Sequence, residues 1–457
     1  MRSRLRIVAL SSAVALVTAG CSADVAGRYT GPFAPASGAA HRLASSQQIQ
    51  HIIFIVQENR SFDDFFATFP GADGATEGQM KTPSGDVTVK LKKGPLVSDN
   101  LGHEHMDFEL EYDGGKMDGF GLVKRVIIKG HKKVKSGKYA YQFVDPQYIA
   151  PYWSIAKQWV LGDHLFMTQG SSSFTAHQDL IAAGTPLGKG DNVIDFPSPP
   201  RWGCDAPPGT VTSYITPAGK EHHNRGPFPC FKYATLRDLM DAKGVSWLYF
   251  TNTSKAAVWD AFDAIKAVRE GSEWNTNIVV PETKIFSYIT GGQLPNVSWI
   301  IPDALTSDHP GVQDKGPSWV ASVVNAIGAS PYWRTSAIVV VWDDWGGQYD
   351  NVAPPQLDGQ GLGFRVPMLL ISPYARMTSP SQPGYISHTQ YEFGSLVRFV
   401  EDNWNLGRLG NTDNRAASIL DSFDFTQQPR KFIPVAAPFS KEYFERQQPS
   451  GLPLDDG

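Results

Sequence analysis

The chain has 457 residues, 41% of them hydrophobic and 19% charged, with 12 Trp and 25 Phe. That composition excludes a disordered chain and supplies enough apolar surface for a large core. A formal charge of −4 gives no electrostatic reason for a nucleic-acid partner.

The chain opens on an export signal. Arg2, Arg4 and Arg6 precede the apolar run Ile7 to Val17, and the small residues Thr18-Ala19-Gly20 lead to Cys21. The run is too short for a permanent membrane span, and no adjacent arginine pair supports a twin-arginine route. "TAGC" is similar to a bacterial lipobox, which would lipidate Cys21 and hold the protein peripherally on a membrane; cleavage nearby, giving a secreted or periplasmic protein, is the other reading. Residues 1–20 are thus expected to be the signal, 21–48 a flexible Ala/Gly/Ser tether, and 49–457 a single domain.

The first element of that domain is a strand over Ile52–Val56. Five β-branched or aromatic residues in succession leave no face for water, so the strand should be buried on both sides and end at Gln57. Glu58 and Asn59 then fall just beyond a strand's carboxyl end, where ligand sites form in open α/β sheets. A second such strand, Ala337–Trp342, ends on Asp343-Asp344. Buried adjacent carboxylates repel unless a cation lies between them, so Glu58, Asn59, Asp343 and Asp344 form a candidate set for a divalent ion, with Zn, Ca, Mg and Fe all open. Taken separately, each acidic pair could simply cap a loop.

Between these strands lies "LGDHLFMTQGSSSFTAHQDL". Helical spacing from Phe174 to Ala183 puts Ser173 near a helix N-terminus, where free N–H groups favour negative charge. Such a serine can be an ordinary cap; beside a divalent ion it can also join the ligands and attack phosphorus. His103 and His309 are candidate proton donors to a leaving oxygen. Asn59, His105 and His388 are candidate substrate contacts, His388 at the head of an amphipathic helix over Phe393–Asn403. His177, one turn after Ser173, reads as a packing residue.

Two further features stand apart. Cys204 and Cys230 enclose a Pro/Gly-rich loop insertion and are expected to pair in an oxidising compartment. The stretch "LVKRVIIKGHKKVKSGKYA" is rich in lysine and free of acids; it reads as a solvated hairpin or a surface for anionic lipid headgroups.

"ENRSFDDFF", "GGKMDGF", "YWSIAKQWVLGDHLF", "SDHP" and "VVVWDDWGGQYDNVAPP", in this order, resemble the bacterial phosphoesterase family of phospholipase C enzymes and related acid phosphatases, over about His51 to Glu401. The resemblance implies a three-layer α/β/α fold of alkaline-phosphatase type with a mostly parallel central sheet. It implies a metal-dependent phosphoric ester hydrolase with Ser173 as nucleophile, a phosphoserine intermediate, and a phospholipid or small phosphomonoester substrate. Many members have a histidine where this chain has Asn351, which leaves open a non-catalytic exported lipoprotein that binds phosphorylated ligands. An acyl hydrolase elbow, Gly-x-Ser-x-Gly, is absent around Ser173.

Overall fold

The computed structural model describes residues 48–452 apart from 128–131, 200–201, 254–256 and 312–314. The export signal, Cys21 and the expected tether up to residue 47 lie outside the described residues. The chain divides into two units, Met1–Gly38 and Ala39–Gly457; the fold below belongs to the second.

Its centre is a sheet built on β1 (His51–Gln57), β5 (Val160–Phe166), β6 (Trp247–Phe250), β7 (Ile278–Val279), β8 (Val297–Ile300), β9 (Ser336–Trp342), β10 (Arg365–Ile371), β11 (Tyr385–Ser387) and β12 (Tyr391–Glu392). The order is β7-β6-β8-β1-β9-β10-β5-β11, with β12 also on β5. All pairs are parallel except those made by β10, which runs antiparallel to both β9 and β5. Every residue of β9 is buried, as are Ile52 to Gln57 of β1. Burying such Ile and Val side chains contributes roughly 1.5–3 kcal/mol each, which is what commits these runs to the centre.

Helices cover the sheet, after α1 (Phe62–Phe66) and α2 (His105–Tyr112) earlier in the chain. The helix α3 (Ala150–Gln158) packs on β5 and β10 and against α5 (Gly316–Gly328), which also touches β9; α4 (Ser173–Ala182) packs against α6 (Phe393–Trp404) in a second group. In α6 the spacing Phe393, Leu396, Val397, Val400 gives one continuous buried stripe. The mostly parallel α/β/α architecture expected from the sequence is therefore what forms. Cys204 and Cys230 are joined in a disulfide. The lysine-rich stretch is a hairpin of β3 (Lys124–Ile127) and β4 (Lys132–Lys135), and β3 also pairs with β2 (Asn100–Leu101); Lys129 lies outside the described residues. His388 stands in the loop between β11 and β12, ahead of α6 and not on it.

Register decides where the site falls. β1 and β9 run side by side from His51↔Ser336 to Gln57↔Trp342, so both strands end flush. The Asp343 N–H continues the ladder onto the Gln57 carbonyl at 2.9 Å. Glu58-Asn59 and Asp343-Asp344 consequently leave the sheet next to each other.

Candidate active site

At Asn59 the backbone turns left-handed, φ 59°, a conformation asparagine tolerates better than most residues. The turn aims its N–H at Asp343 Oδ1, 2.9 Å away, and its side-chain amide towards Asp344. The same Asp343 oxygen accepts the Asp344 N–H at 2.7 Å, and Asp344 Oδ1 accepts the Gly346 N–H at 2.8 Å. Gly346, at φ 60°, has to be glycine: a Cβ there would sit 2.4 Å from the Asn59 carbonyl oxygen. Both aspartates are thus fixed by backbone donors before any ligand arrives.

Ser173 opens α4, with Ser172 at the cap position, and its hydroxyl donates to Asp344 Oδ2 at 2.8 Å. One turn later on the same face, His177 points Nε2 at Glu58 Oε1 (3.1 Å) and lies 3.6 Å from Asp343 Oδ2. The sequence reading treated His177 as packing. Its spacing of four from Ser173, which puts two side chains on one helix face, was the available signal. Ligand-type atoms of Glu58, His177 and Asp343 all lie within 4.8 Å of one another.

The other sequence candidates divide. His103 belongs to the cluster: its Nε2 is 3.0 Å from the Asn59 amide nitrogen and 3.9 Å from Asp344 Oδ2, while Nδ1–H donates to the Leu101 carbonyl at 2.7 Å. The pairing of β2 with β3 holds that loop in place. His105 stands beside the loop that leads to Ser173, its Nδ1 at 2.6 Å from the Gly170 carbonyl and its N–H on Asp195. His309 follows Asp308 on the loop after β8 and donates from Nδ1 to the Pro310 carbonyl; that loop meets the rim where the Glu58 N–H reaches Ser307 O at 2.8 Å. His388 is elsewhere: 59% exposed and paired with Asp163 at 2.8 Å. Asn351 also contacts Arg365, at 2.7 Å, and not the Ser173 cluster.

Electrostatically the rim is incomplete. Glu58, Asp343 and Asp344 have no solvent exposure, and among the described residues no arginine or lysine pairs with Asp343 or Asp344. Burial, and then the neighbouring Asp343, push the Asp344 carboxyl up to about 7, while burial pulls His177 down to about 4 and keeps it neutral. Asp343 Oδ2 and Asn59 Oδ1 are buried without a hydrogen-bond donor. Orphaned buried acceptors of this kind cost free energy, and a cation enclosed by Glu58, Asn59, His177 and Asp343 is what would satisfy them.

The rim thus brings together a serine at a helix N-terminus, a carboxylate within hydrogen-bond reach of it and a set of buried ligand-type side chains at the ends of parallel strands. The chain belongs to the Phosphoesterase family, whose profile matches residues 49–407; it is a hydrolase acting on phosphoester bonds. It is 23% identical over 436 residues to the "Non-hemolytic phospholipase C" of Pseudomonas aeruginosa, which covers 80% of this chain and only 56% of that protein. It is 23% identical over 491 residues to "Phospholipase C B" of Mycobacterium tuberculosis, covering 93% of this chain and 86% of the relative. Among solved structures it is similar to a protein in the alkaline phosphatase superfamily from Vibrio parahaemolyticus, at 8% identity and a TM-score of 0.36, covering 86% and 81% of the two chains. Among the described residues no helix is long and apolar enough to cross a membrane.

Proposed function

We propose that this chain is an exported, metal-dependent phosphoric ester hydrolase of phospholipase C type that acts through a phosphoserine on Ser173. The observation that carries the reading is the convergence of the Ser173 hydroxyl on Asp344 at 2.8 Å beside the undonated Asp343 Oδ2. Asp344, whose carboxyl is pushed up to about 7, takes the serine proton as Oγ attacks phosphorus. His103 gives a proton to the departing alcohol oxygen as the P–O bond breaks. Water then attacks phosphorus and passes a proton to His103, the serine–phosphorus bond breaks and Asp344 returns its proton to Ser173. The first N–H groups of α4 would face the phosphoryl oxygens, where fixed donors favour the charge that develops. Glu58, Asn59, His177 and Asp343 would hold a divalent ion, which would supply positive charge against those oxygens. An imidazole among the ligands favours Zn or Fe over Ca or Mg.

The relatives' names favour a phospholipid substrate over a small phosphomonoester. The leader at 1–20, the tether at 21–48 and lipidation of Cys21 complete the proposal and would place the enzyme at a membrane surface. The test is turnover of phosphatidylcholine and p-nitrophenyl phosphate by purified protein, with and without chelator. Phosphatidylcholine cleavage that chelation abolishes and added metal restores is expected; product from p-nitrophenyl phosphate alone would replace phospholipase by acid phosphatase. Release of no product under any metal would favour the binding lipoprotein. Ser173→Ala should lower the rate by several orders of magnitude, and a variant retaining a tenth of it would remove Ser173 as nucleophile.

A further inference from the structure

On the far side of β10 from β9, strand β5 carries an irregularity that no step of the proposed reaction uses. Met368 pairs with Gly162 and Val366 with Leu165, so Asp163 and His164 together stand opposite Pro367 alone. Two residues against one is a β-bulge, and a bulge re-aims side chains that a regular strand would send to opposite faces. Asp163 and His164 in consequence face each other, Nδ1 to Oδ1, at 2.8 Å. His388, from the loop between β11 and β12, brings its Nδ1 to 2.8 Å from Asp163 Oδ2, and Asp73 brings its carboxylate to 3.2 Å from His164 Nε2. The Asp73 N–H also donates to Asp163 Oδ2 at 2.9 Å.

The proton count of this cluster does not close with neutral groups. A neutral imidazole has one N–H, yet both ring nitrogens of His164 face carboxylate oxygens. A metal ion on Nδ1, with the N–H on Nε2 turned toward Asp73, would match this arrangement. Ligand-type atoms of Asp163, His164 and His388 lie within 4.8 Å of one another, and Asp163 is fully buried while His388 is 59% exposed. An Asp73 carboxylate on the distal nitrogen of His164 is the arrangement that orients a ligating histidine and raises its basicity. His388 also borders a cavity of about 370 Å³ together with Ile386 and Tyr385.

We propose that Asp163, His164 and His388 form a second metal site, independent of the Ser173 rim, that takes a transition ion such as Zn²⁺, with Asp73 orienting His164. Two imidazoles and a carboxylate are a donor set for such an ion. Two carboxylates and two neutral imidazoles also leave a charge of −2, which one divalent ion cancels. The ion would tie together three segments that are remote in sequence: the loop carrying Asp73, β5, and the loop carrying His388.

The experiment measures zinc bound to the purified, metal-stripped protein by equilibrium dialysis, with cobalt absorption spectra as a second readout. The Glu58→Gln/Asp343→Asn variant, which disables the rim, should still bind one equivalent. Adding His388→Gln, at a position 59% exposed, should weaken that equivalent at least tenfold and shift the cobalt absorption bands, because one of the two imidazole ligands is lost. Asp73→Asn in the same background should weaken it about 10- to 100-fold. A rim-disabled protein that binds no zinc, or one whose zinc is indifferent to His388→Gln, overturns the proposal without touching the reading of Ser173.

Discussion

Two groups of buried carboxylates share the sheet edge at which β9 ends, and they are neutralised in opposite ways. β10 runs antiparallel to β9, so its first residue, Arg365, stands at this edge. Its guanidinium grips Asp350 through two donors at 2.8 and 3.1 Å, lies over the Phe62 ring, and reaches the Asp73 and Asp163 carbonyls. Asp63, whose carboxyl is pushed up chiefly by burial and by Asp350, is pulled back by the same Arg365. On the neighbouring loop Asp343 and Asp344 have no such cation among the described residues. Arg60 is adjacent in sequence to Asn59 but turns away, to Asp64 and to the Leu96 and Asp308 carbonyls. One group is complete as folded; the other would be completed by the cation proposed above.

The largest effect should come from breaking the complete group. Arg365→Met leaves Asp350 buried without its partner, and removing one member of a buried pair costs about 3–5 kcal/mol. Denaturant unfolding should show that loss. The double variant Arg365→Met/Asp350→Asn should recover a substantial part of it, because the stranded charge is then gone. If the single and double variants are equally unstable, Arg365 acts through its carbonyl contacts and the contrast between the two groups fails.

The incomplete group should respond with the opposite sign. Asp343→Asn keeps an oxygen for the Asn59 and Asp344 N–H groups but removes a buried negative charge. Turnover should fall by about 10²–10³-fold, the scale of losing one preorganised charge from a catalytic site. In chelator, however, the variant should be more stable than the parent, by about 1 kcal/mol or more, because no cation there compensates the charge. Paired denaturations with and without added zinc read both halves. An Asp343→Asn protein that is less stable than the parent in chelator would show that the rim needs no cation.

This sign reversal also marks what the sequence could reveal. The ends of β1 and β9 were readable because an unbroken run of Ile, Val, Ala and Trp has to be buried, and its first polar residue has to be at the edge. Ser173 was readable because Gly170-Ser171-Ser172 precedes a helical spacing. What was not readable is pairing at a distance. His177 becomes a ligand candidate only when Glu58, 119 residues earlier, is brought to it, and on its own it has the pattern of a packed histidine. By local pattern His388 heads α6, because its neighbours are amphipathic, yet its partner Asp163 lies 225 residues away. The bulge at Asp163-His164 has no local signature, since strand periodicity would separate those two side chains.

The smallest effect tests the loop that joins the two groups to β8. Asp308, fully buried at φ 68°, accepts from the Tyr152 hydroxyl at 2.6 Å and from the Trp342 indole at 3.3 Å. Burial outweighs these donors and Arg60, and pushes its carboxyl up to about 7. The folded protein therefore holds this proton more tightly than the unfolded chain, whose Asp titrates near 4. The stability so contributed is complete below about pH 4 and is lost as pH rises through about 7. Asp308→Asn retains an acceptor for Tyr152, tolerates the left-handed backbone and cannot titrate. Relative to the variant, the parent should lose at most about 1.4 kcal/mol per pH unit across that window, read from denaturations at about pH 5.5 and 6.5 at fixed metal. Equal slopes for the two proteins would mean that Asp308 stays charged in the fold, with Arg60 then neutralising it as Arg365 neutralises Asp350.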